Sequence, residues 1–320
     1  MTAPARKRVL LLSGGVGGAK LAHGFEQLHE EVELWVMVNI GDDFEHLGLS
    51  IAPDLDTVLY TLTDEANREQ GWGLEGESWR TMDRLQDLGG EFWFRLGDLD
   101  LATHLYRTAA LRAGQSLSEI STHLARRLNV NAHILPATDQ PLRTRVHTEI
   151  GVLEFQHYFV RERCLPRVSR VSFDGAEQAR IAPAFDEMLH PGAFDAVILA
   201  PSNPFLSIGP ILAIPGLTRR LRDTAPKVLA VSPIVSRQAI KGPAAKMMEE
   251  MELPVSASGW VAYLRSSYGD LVDEWVLDNA DAAEARQLTE VGLMIRTTNT
   301  IMTGAEERQR LARWMLAEAL

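Results

Sequence analysis

Apolar residues fall along this chain in two patterns. Some form short, nearly continuous runs that end in glycine, asparagine or aspartate. Others recur every three or four residues over longer stretches. The first pattern predicts strands covered on both faces, the second helices with one buried stripe. Residues 8–12 (RVLLL), 33–40 (ELWVMVNI), 131–137, 194–200 (FDAVILA), 227–231, 275–277 and 293–296 read as strands. Residues 143–161 alternate apolar and polar around Gly151, which predicts a β-hairpin. Residues 75–130 read as mostly helical with glycine punctuation. Lys241-Gly242-Pro243-Ala244 opens a further helix, with proline near its first turn. Residues 305–320 close the chain as an amphipathic helix.

Strands alternating with helices predict an α/β fold: a Rossmann-like, mostly parallel sheet with helices on both faces and a helical insertion. Residues 1–320 are expected to form a single domain. The mainly helical insertion, about 65–130, is expected to contribute to the substrate pocket.

The first strand leads straight into Ser13-Gly14-Gly15-Val16-Gly17-Gly18-Ala19-Lys20, after which Leu21, Ala22 and Phe25 recur at helical spacing. Strand, glycine turn and helix make the opening unit of a nucleotide-binding sheet. Glycines let the backbone approach an anion, and the N–H groups that open a helix face it. Lys20 adds a point charge one turn in. The turn is not a P-loop, since Leu21 follows Lys20 where Ser or Thr is required. Nor is it a full dinucleotide fingerprint: counted from Gly15 and Gly17, the third glycine position holds Lys20. The plain alternative is a tight turn that binds nothing.

The second strand ends in Asn39-Ile40-Gly41-Asp42-Asp43, and Pro53-Asp54-Leu55-Asp56-Thr57 runs into another helix. Carboxylates at strand ends beside such a turn suit a metal or ribose contact. The alternatives are a helix cap for Asp54 or Asp56 and a solvated turn for Asp42 and Asp43. The strand at 194–200 exits through Pro201-Ser202-Asn203-Pro204-Phe205-Leu206-Ser207-Ile208-Gly209-Pro210, a second loop of small polar groups. Trp72, Trp79, Phe92, Trp93 and Phe94 cluster in the insertion, as core or as an apolar wall for a flat ring. Arg95 to Asp100 reads as a loop between helices. His104 and His123 lack matched metal spacing and read as ordinary helix residues.

Composition narrows the chemistry. A net charge of −11 argues against general affinity for nucleic acid or an anionic membrane. Cys164 is alone, which excludes disulfides within the chain and cysteine metal clusters and fits a cytoplasmic setting. No apolar run is long enough to span a membrane. Neither a Ser-His-Asp order nor a histidine metal spacing emerges. A glycine turn with carboxylates suits phosphoryl or phosphodiester transfer, where the protein positions substrates and Mg²⁺ neutralises charge.

Several runs carry a resemblance: residues 13–20 (SGGVGGAK), 38–43 (VNIGDD), 53–60 (PDLDTVLY), 71–73 (GWG), 96–104 (LGDLDLATH), 199–204 (LAPSNP), 207–212 (SIGPIL) and 232–234 (SPI). In this order the chain resembles the 2-phospho-L-lactate transferase family (CofD/FbiA-like) of coenzyme F420 biosynthesis. Leu99 departs from the pattern, since many relatives carry a basic residue inside the GD-x-D run.

The resemblance implies a reaction. A hydroxyl on the ribityl chain of the deazaflavin FO attacks the phosphorus that carries a three-carbon acid in a guanosine-diphospho donor. GMP leaves, and a phosphodiester forms. Mg²⁺ is the implied ion, with Asp42, Asp43 and Asp56 around it as catalytic groups. Asp56 and Arg95 match deazaflavin-binding positions, and Trp72 is expected beside them. Gly14, Gly15, Gly17, Gly18 and Lys20 would hold the diphosphate. Ser202, Asn203, Ser207 and Gly209 would hold guanine or ribose. A homodimer is expected. Two alternatives remain open: a nucleotide-sugar-binding regulator of the same superfamily, and a dehydrogenase with Asp42 on a ribose. Neither the identity of the acid (lactate, enolpyruvate or glycerate) nor the exact metal ligands among Asp42, Asp43, Asp54 and Asp56 is fixed by the sequence.

Overall fold

The computed structural model describes residues 6–319 apart from Glu69 and Lys241. Seven strands form one sheet: β1 (Lys7–Ser13), β2 (Val32–Val38), β3 (His133–Pro136), β4 (Ala196–Leu199), β5 (Val228–Val231), β6 (Glu274–Asp278) and β7 (Met294–Thr298). Their order is β7-β6-β5-β4-β1-β2-β3, and every neighbouring pair is parallel. The expected Rossmann-like sheet is therefore present. Val9 to Leu12 have no exposed surface, as a strand covered on both faces requires.

The order reverses between β1 and β4, and open α/β sheets bind ligands in the crevice at that switch point. Val9 lies opposite Ala196 and Leu12 opposite Leu199, so both strands end at one level. Helix α1 (Gly15–Glu26) leaves β1 directly and packs against α2 (Pro53–Leu62) and the helix at Ala305–Trp314.

Between Glu75 and Val130 the insertion is mostly helical, as its amphipathic spacing predicts. It holds α3 (Arg80–Asp87), α4 (Asp98–Arg112) and α5 (Leu117–Arg127). Residues 88–97 and most of the described residues among 63–79 are irregular. Helix α4 already begins at Asp98, so the expected loop ends at Gly97. Two carboxylates cap α3 and α4 reciprocally. Asp98 accepts from the Ser78 hydroxyl and from the N–H groups of Arg80 and Thr81, which open α3. Glu77 accepts from the N–H groups of Leu99 and Asp100, which open α4. A small separate core of Phe44, Ile51, Met82 and Leu96 fastens these helices to the short hairpin that follows β2.

The hairpin at Arg143–Thr148 and Gly151–Glu154 is present, and Val168–Asp174 adds an unexpected third antiparallel strand. Beyond Glu154 the alternation fails. Phe155 and Tyr158 are buried three residues apart, and the chain makes a π-helical turn at His157–Arg161. The helix expected from Lys241 starts at Ala244, and Lys241 itself lies outside the described residues. Helix Ala305–Trp314 ends in a π-helical turn at Met315–Ala319, and Leu320 is not described. Among the described residues no helix is long and apolar enough to cross a membrane.

Candidate functional site

Proline at the first position of α2 fixes the helix start, and Asp54 and Asp56 follow in its first turn, where the helix dipole favours negative charge. Asp54 does not cap its own helix. Its Oδ1 accepts from the Gly15 N–H at 2.7 Å, at the start of α1, and its Oδ2 accepts from Asn39 Nδ2 at 2.8 Å. The protein's own carboxylate thus occupies the first N–H of helix α1. Asn39, fully buried, also donates to the Leu206 carbonyl and accepts from the Gly41 N–H. Asn39 and Asp54 together therefore tie the exits of β1, β2 and β4 to one another.

A cavity of about 520 Å³ opens at the switch point. Gly14, Gly15, Val16, Gly17 and Lys20 line it from α1, and Ser202, Asn203, Leu206 and Ser207 from the loop after β4. Asp42, Asp54, Asp56, Tyr60, Asp100 and His104 form an acidic part. Trp72, Phe94, Arg95, Phe155 and Phe159 form an aromatic part.

The acidic part is unusual in its burial. Asp42, Asp43, Asp54 and Asp56 are each less than a tenth exposed. Burial pushes the Asp43 carboxyl up to about 8 against the pull of Arg143 and Arg107. It pushes Asp54 up to about 6. Asp42 is raised by burial and then by the neighbouring charge of Asp54. Oδ1 of Asp42 and Oδ1 of Asp43 are buried with no hydrogen-bond partner. Buried, unpartnered carboxylate oxygens are rare and are hard donors of the kind divalent cations prefer. Each of these two residues therefore offers an open oxygen of the kind a divalent cation such as Mg²⁺ takes.

Asp56 differs. Both of its oxygens accept from the Arg107 guanidinium, one of them at 3.0 Å. Asp56, Asp100 and His104 are the one group of three among the described residues whose ligand atoms converge within 4.8 Å. Asp42, Asp43 and Asp56, expected together around a metal, do not converge in this way.

A family model described as 2-phospho-L-lactate transferase CofD matches residues 9–305. The chain is 37% identical over 308 residues to 2-phospho-L-lactate transferase of Methanosarcina acetivorans, covering 96% of this chain and 98% of that one. It is 35% identical over 314 residues to phosphoenolpyruvate transferase of Streptomyces griseus, covering 97% of each. The chain belongs to the CofD 2-phospho-L-lactate transferase family. A solved structure of a UPF0052-family protein from Bacillus halodurans matches with a TM-score of 0.66 at 15% identity, covering 98% of this chain and all of that one. That likeness shows the fold alone. Since its relatives are named as transferases over nearly their whole length, this CofD-family protein is an enzyme, a transferase.

The expected nucleotide residues divide. Gly14, Gly15, Gly17, Lys20, Ser202, Asn203 and Ser207 line the cavity, whereas Gly18 and Gly209 do not. The glycines also serve packing. A side chain at Gly17 would strike the Pro201 carbonyl, and one at Gly18 would strike the hydroxyls of Ser13 and Ser202. Gly17 thus lets α1 approach the exit of β4, and a side chain there would first disturb the fold. Ser202 donates to the Gly14 carbonyl at 2.7 Å. Asn203 Oδ1 accepts from the N–H groups of Phe205 and Leu206, and Lys20 donates to the Met302 carbonyl at 2.8 Å. Gly209 packs on Phe173 instead.

Of the expected acids, Asp42 and Asp56 line the cavity and Asp43 does not. Of the expected aromatic wall, Trp72 and Phe94 line it. Trp79 carries the Arg95 guanidinium on its ring, 4.9 Å from the centroid. Trp93 lies outside the lining, packed with Phe44, His46 and His157 in an aromatic cluster that also touches Phe94.

Sequence reading missed Tyr60, Asp100, His104 and Arg107. Tyr60 donates to Asp100 Oδ1 at 2.7 Å. Asp100 Oδ2 lies 3.1 Å from His104 Nε2, and His104 Nδ1 lies 3.1 Å from Arg107 Nη1. A signal existed in the spacing: Asp100, His104 and Arg107 stand at i, i+4 and i+7, on one face of α4.

Proposed function

We propose that this protein transfers a phosphorylated three-carbon acid from a guanosine-diphospho donor to the ribityl hydroxyl of the deazaflavin FO, releasing GMP. What carries this reading is one cavity that joins three surfaces at the switch point. The glycine turn and the Ser202–Ser207 loop suit a nucleotide, the buried acids suit a cation on a diphosphate, and Trp72 and Phe94 suit a flat ring.

The cation would be Mg²⁺, with Asp42 its ligand in the cavity wall and Asp43 a second open carboxylate next to it in sequence. When bound it would neutralise charge on the diphosphate. The chain's own residues supply the rest. Backbone at Gly14 to Gly17, with Lys20, lies along the phosphates, and Ser202, Asn203 and Ser207 lie along the ribose or base. Arg95 faces the ring system from its stack on Trp79. Asp56 stands at the cavity wall, where it can accept a hydrogen bond from the attacking hydroxyl. In-line attack then needs the two substrates held against each other, which is the main task of a phosphoryl-transfer site. A cytoplasmic homodimer is proposed as the working form.

Relatives are named for two different acids, at 37% and 35% identity, so the donor is set by experiment. Purified protein is incubated with FO, Mg²⁺ and the guanosine-diphospho derivative of phospholactate, phosphoenolpyruvate or phosphoglycerate in turn. Mass spectrometry should find GMP and one FO phosphodiester. Intact FO with every donor refutes the proposal.

A further inference from the structure

Among the described residues, Arg107 is one of the largest fully buried side chains, with 2% of its surface exposed. Arginine is almost never so buried without a specific partner. A buried ion pair is weak evidence for stability as such, because an apolar side chain of similar size often serves as well or better. Here the guanidinium faces four atoms of three residues: both oxygens of Asp56, Nδ1 of His104 at 3.1 Å and the Ser50 carbonyl oxygen at 3.4 Å. Arg107 does not line the cavity, yet Asp56 and His104 do. Beyond them, Asp100 and Tyr60 continue the chain of contacts and also line the cavity.

We propose that Arg107 is a positioning residue: it fixes the Asp56 carboxylate from behind, so that this acid meets the acceptor hydroxyl in one orientation. A planar fork holds both carboxylate oxygens at once, which a lysine ammonium cannot do. His104 packs against the same guanidinium and restrains it. Asp56 is thus held by the protein's own guanidinium. This inference rests on the transferase reading above.

The test is a double-mutant cycle on transfer with the donor that the wild type uses. Arg107→Gln should lower kcat by about 10²-fold, the scale of a misplacement of about an ångström, while KM for the donor stays near the wild-type value. Asp56→Asn alone should lower kcat at least as much. Added to Asp56→Asn, Arg107→Gln should cost no more than about threefold, because a residue acting through Asp56 has nothing left to position. Equal losses from Arg107→Gln in both backgrounds, or no loss in either, overturn the proposal. Circular dichroism and donor binding check the fold of each variant. If Arg107→Gln does not fold, Arg107→Lys carries the test. It keeps the charge but loses the fork, so kcat should fall about tenfold with donor KM unchanged, and wild-type kcat overturns the proposal. Wild-type protein inactive with FO and every donor would instead refute the transferase reading, a separate outcome.

Discussion

Asp42 and Asp43, at the exit of β2, and Asp54 and Asp56, in the first turn of α2, are two pairs of buried carboxylates about a dozen residues apart in sequence, all within the electrostatic reach of Asp43. The protein treats them in opposite ways. Asp54 is matched by the Gly15 N–H and Asn39, and Asp56 by Arg107. Asp42 and Asp43 each keep one oxygen with no partner. Burial therefore does not by itself mark a binding group. A carboxylate whose oxygens the protein satisfies is held in one orientation, and one with an oxygen left open keeps a demand that a ligand can meet.

The sharpest break of this comparison is a pair of like substitutions with opposite effects on stability. Asp56→Asn leaves the Arg107 charge buried without its carboxylate, and should cost about 3–5 kcal/mol. Asp43→Asn removes a charge that burial penalises, and should raise the melting temperature of metal-free protein at pH 8. Chemical denaturation and calorimetry on both variants check this. A loss of similar size in each would mean that the two pairs are held alike.

Next in size is the effect on transfer. Asp42→Asn should lower kcat by roughly 10²–10³-fold, the scale for losing one preorganised electrostatic group, and should weaken the dependence of rate on Mg²⁺. An unchanged Mg²⁺ titration curve with only a small loss of rate would move the cation away from the β2 exit.

The pH dependence follows from the same contrast. The folded Asp43 carboxyl titrates at about 8 and Asp54 at about 6, both raised chiefly by burial above an unfolded value near ~4. A raised folded pKa means that the folded state holds the extra proton. The contribution is fully present below about pH 4 and is lost as pH rises through about 6 for Asp54 and about 8 for Asp43. Metal-free protein should therefore melt at falling temperature between about pH 5 and pH 8.5, a window that brackets those two steps, by about 1–2 °C per kcal/mol lost at this chain length. Asp43→Asn should flatten the upper half of that slope, and Mg²⁺ should oppose it. A melting temperature that rises across this window would contradict the assignment.

How much of this was legible beforehand depended on whether a feature lies within one stretch of chain. The strand–glycine–helix opening of β1 and α1, and the buried run of β4, are local patterns, and the parallel sheet follows from them. The meaning of Gly17 was not local. Its need for hydrogen comes from Pro201, far along the chain, so a ligand-facing role was the natural but incomplete reading. Asp54 likewise caps a helix other than its own. Arg107 was silent because nothing in α4 alone distinguishes an arginine that will meet Asp56 from one on a wet face. Only its alignment with Asp100 and His104 hinted at a shared side. In the insertion, the aromatic cluster was visible as a group. Which rings would face the cavity and which would enter the small core depended on how residues 88–97 fold against the hairpin after β2.

The smallest expected effect concerns Arg95, the polar group of the aromatic part and the counterpart of the acids. It lines the cavity beside Trp72 and Phe94, stacks on Trp79 and donates to Asp83 at 2.6 Å. Arg95 and Asp83 are about half and two-thirds exposed, so their ion pair contributes little to stability. The stack is the stronger restraint, because it holds the guanidinium plane while leaving its edge N–H groups able to meet ring carbonyls. Arg95→Ala should therefore leave the melting temperature nearly unchanged and weaken FO binding by about 3–10-fold, less than a fully buried charged hydrogen bond would give. Arg95→Lys should recover only part of it, since an ammonium neither stacks as well nor presents a fork. Asp83→Asn should leave FO affinity within about twofold, as the exposed pair competes only weakly for the guanidinium. Quenching of FO fluorescence reads all three. Equal affinity in wild type, Arg95→Ala and Arg95→Lys would reduce Arg95 to a surface ion-pair partner and leave ring recognition to Trp72 and Phe94.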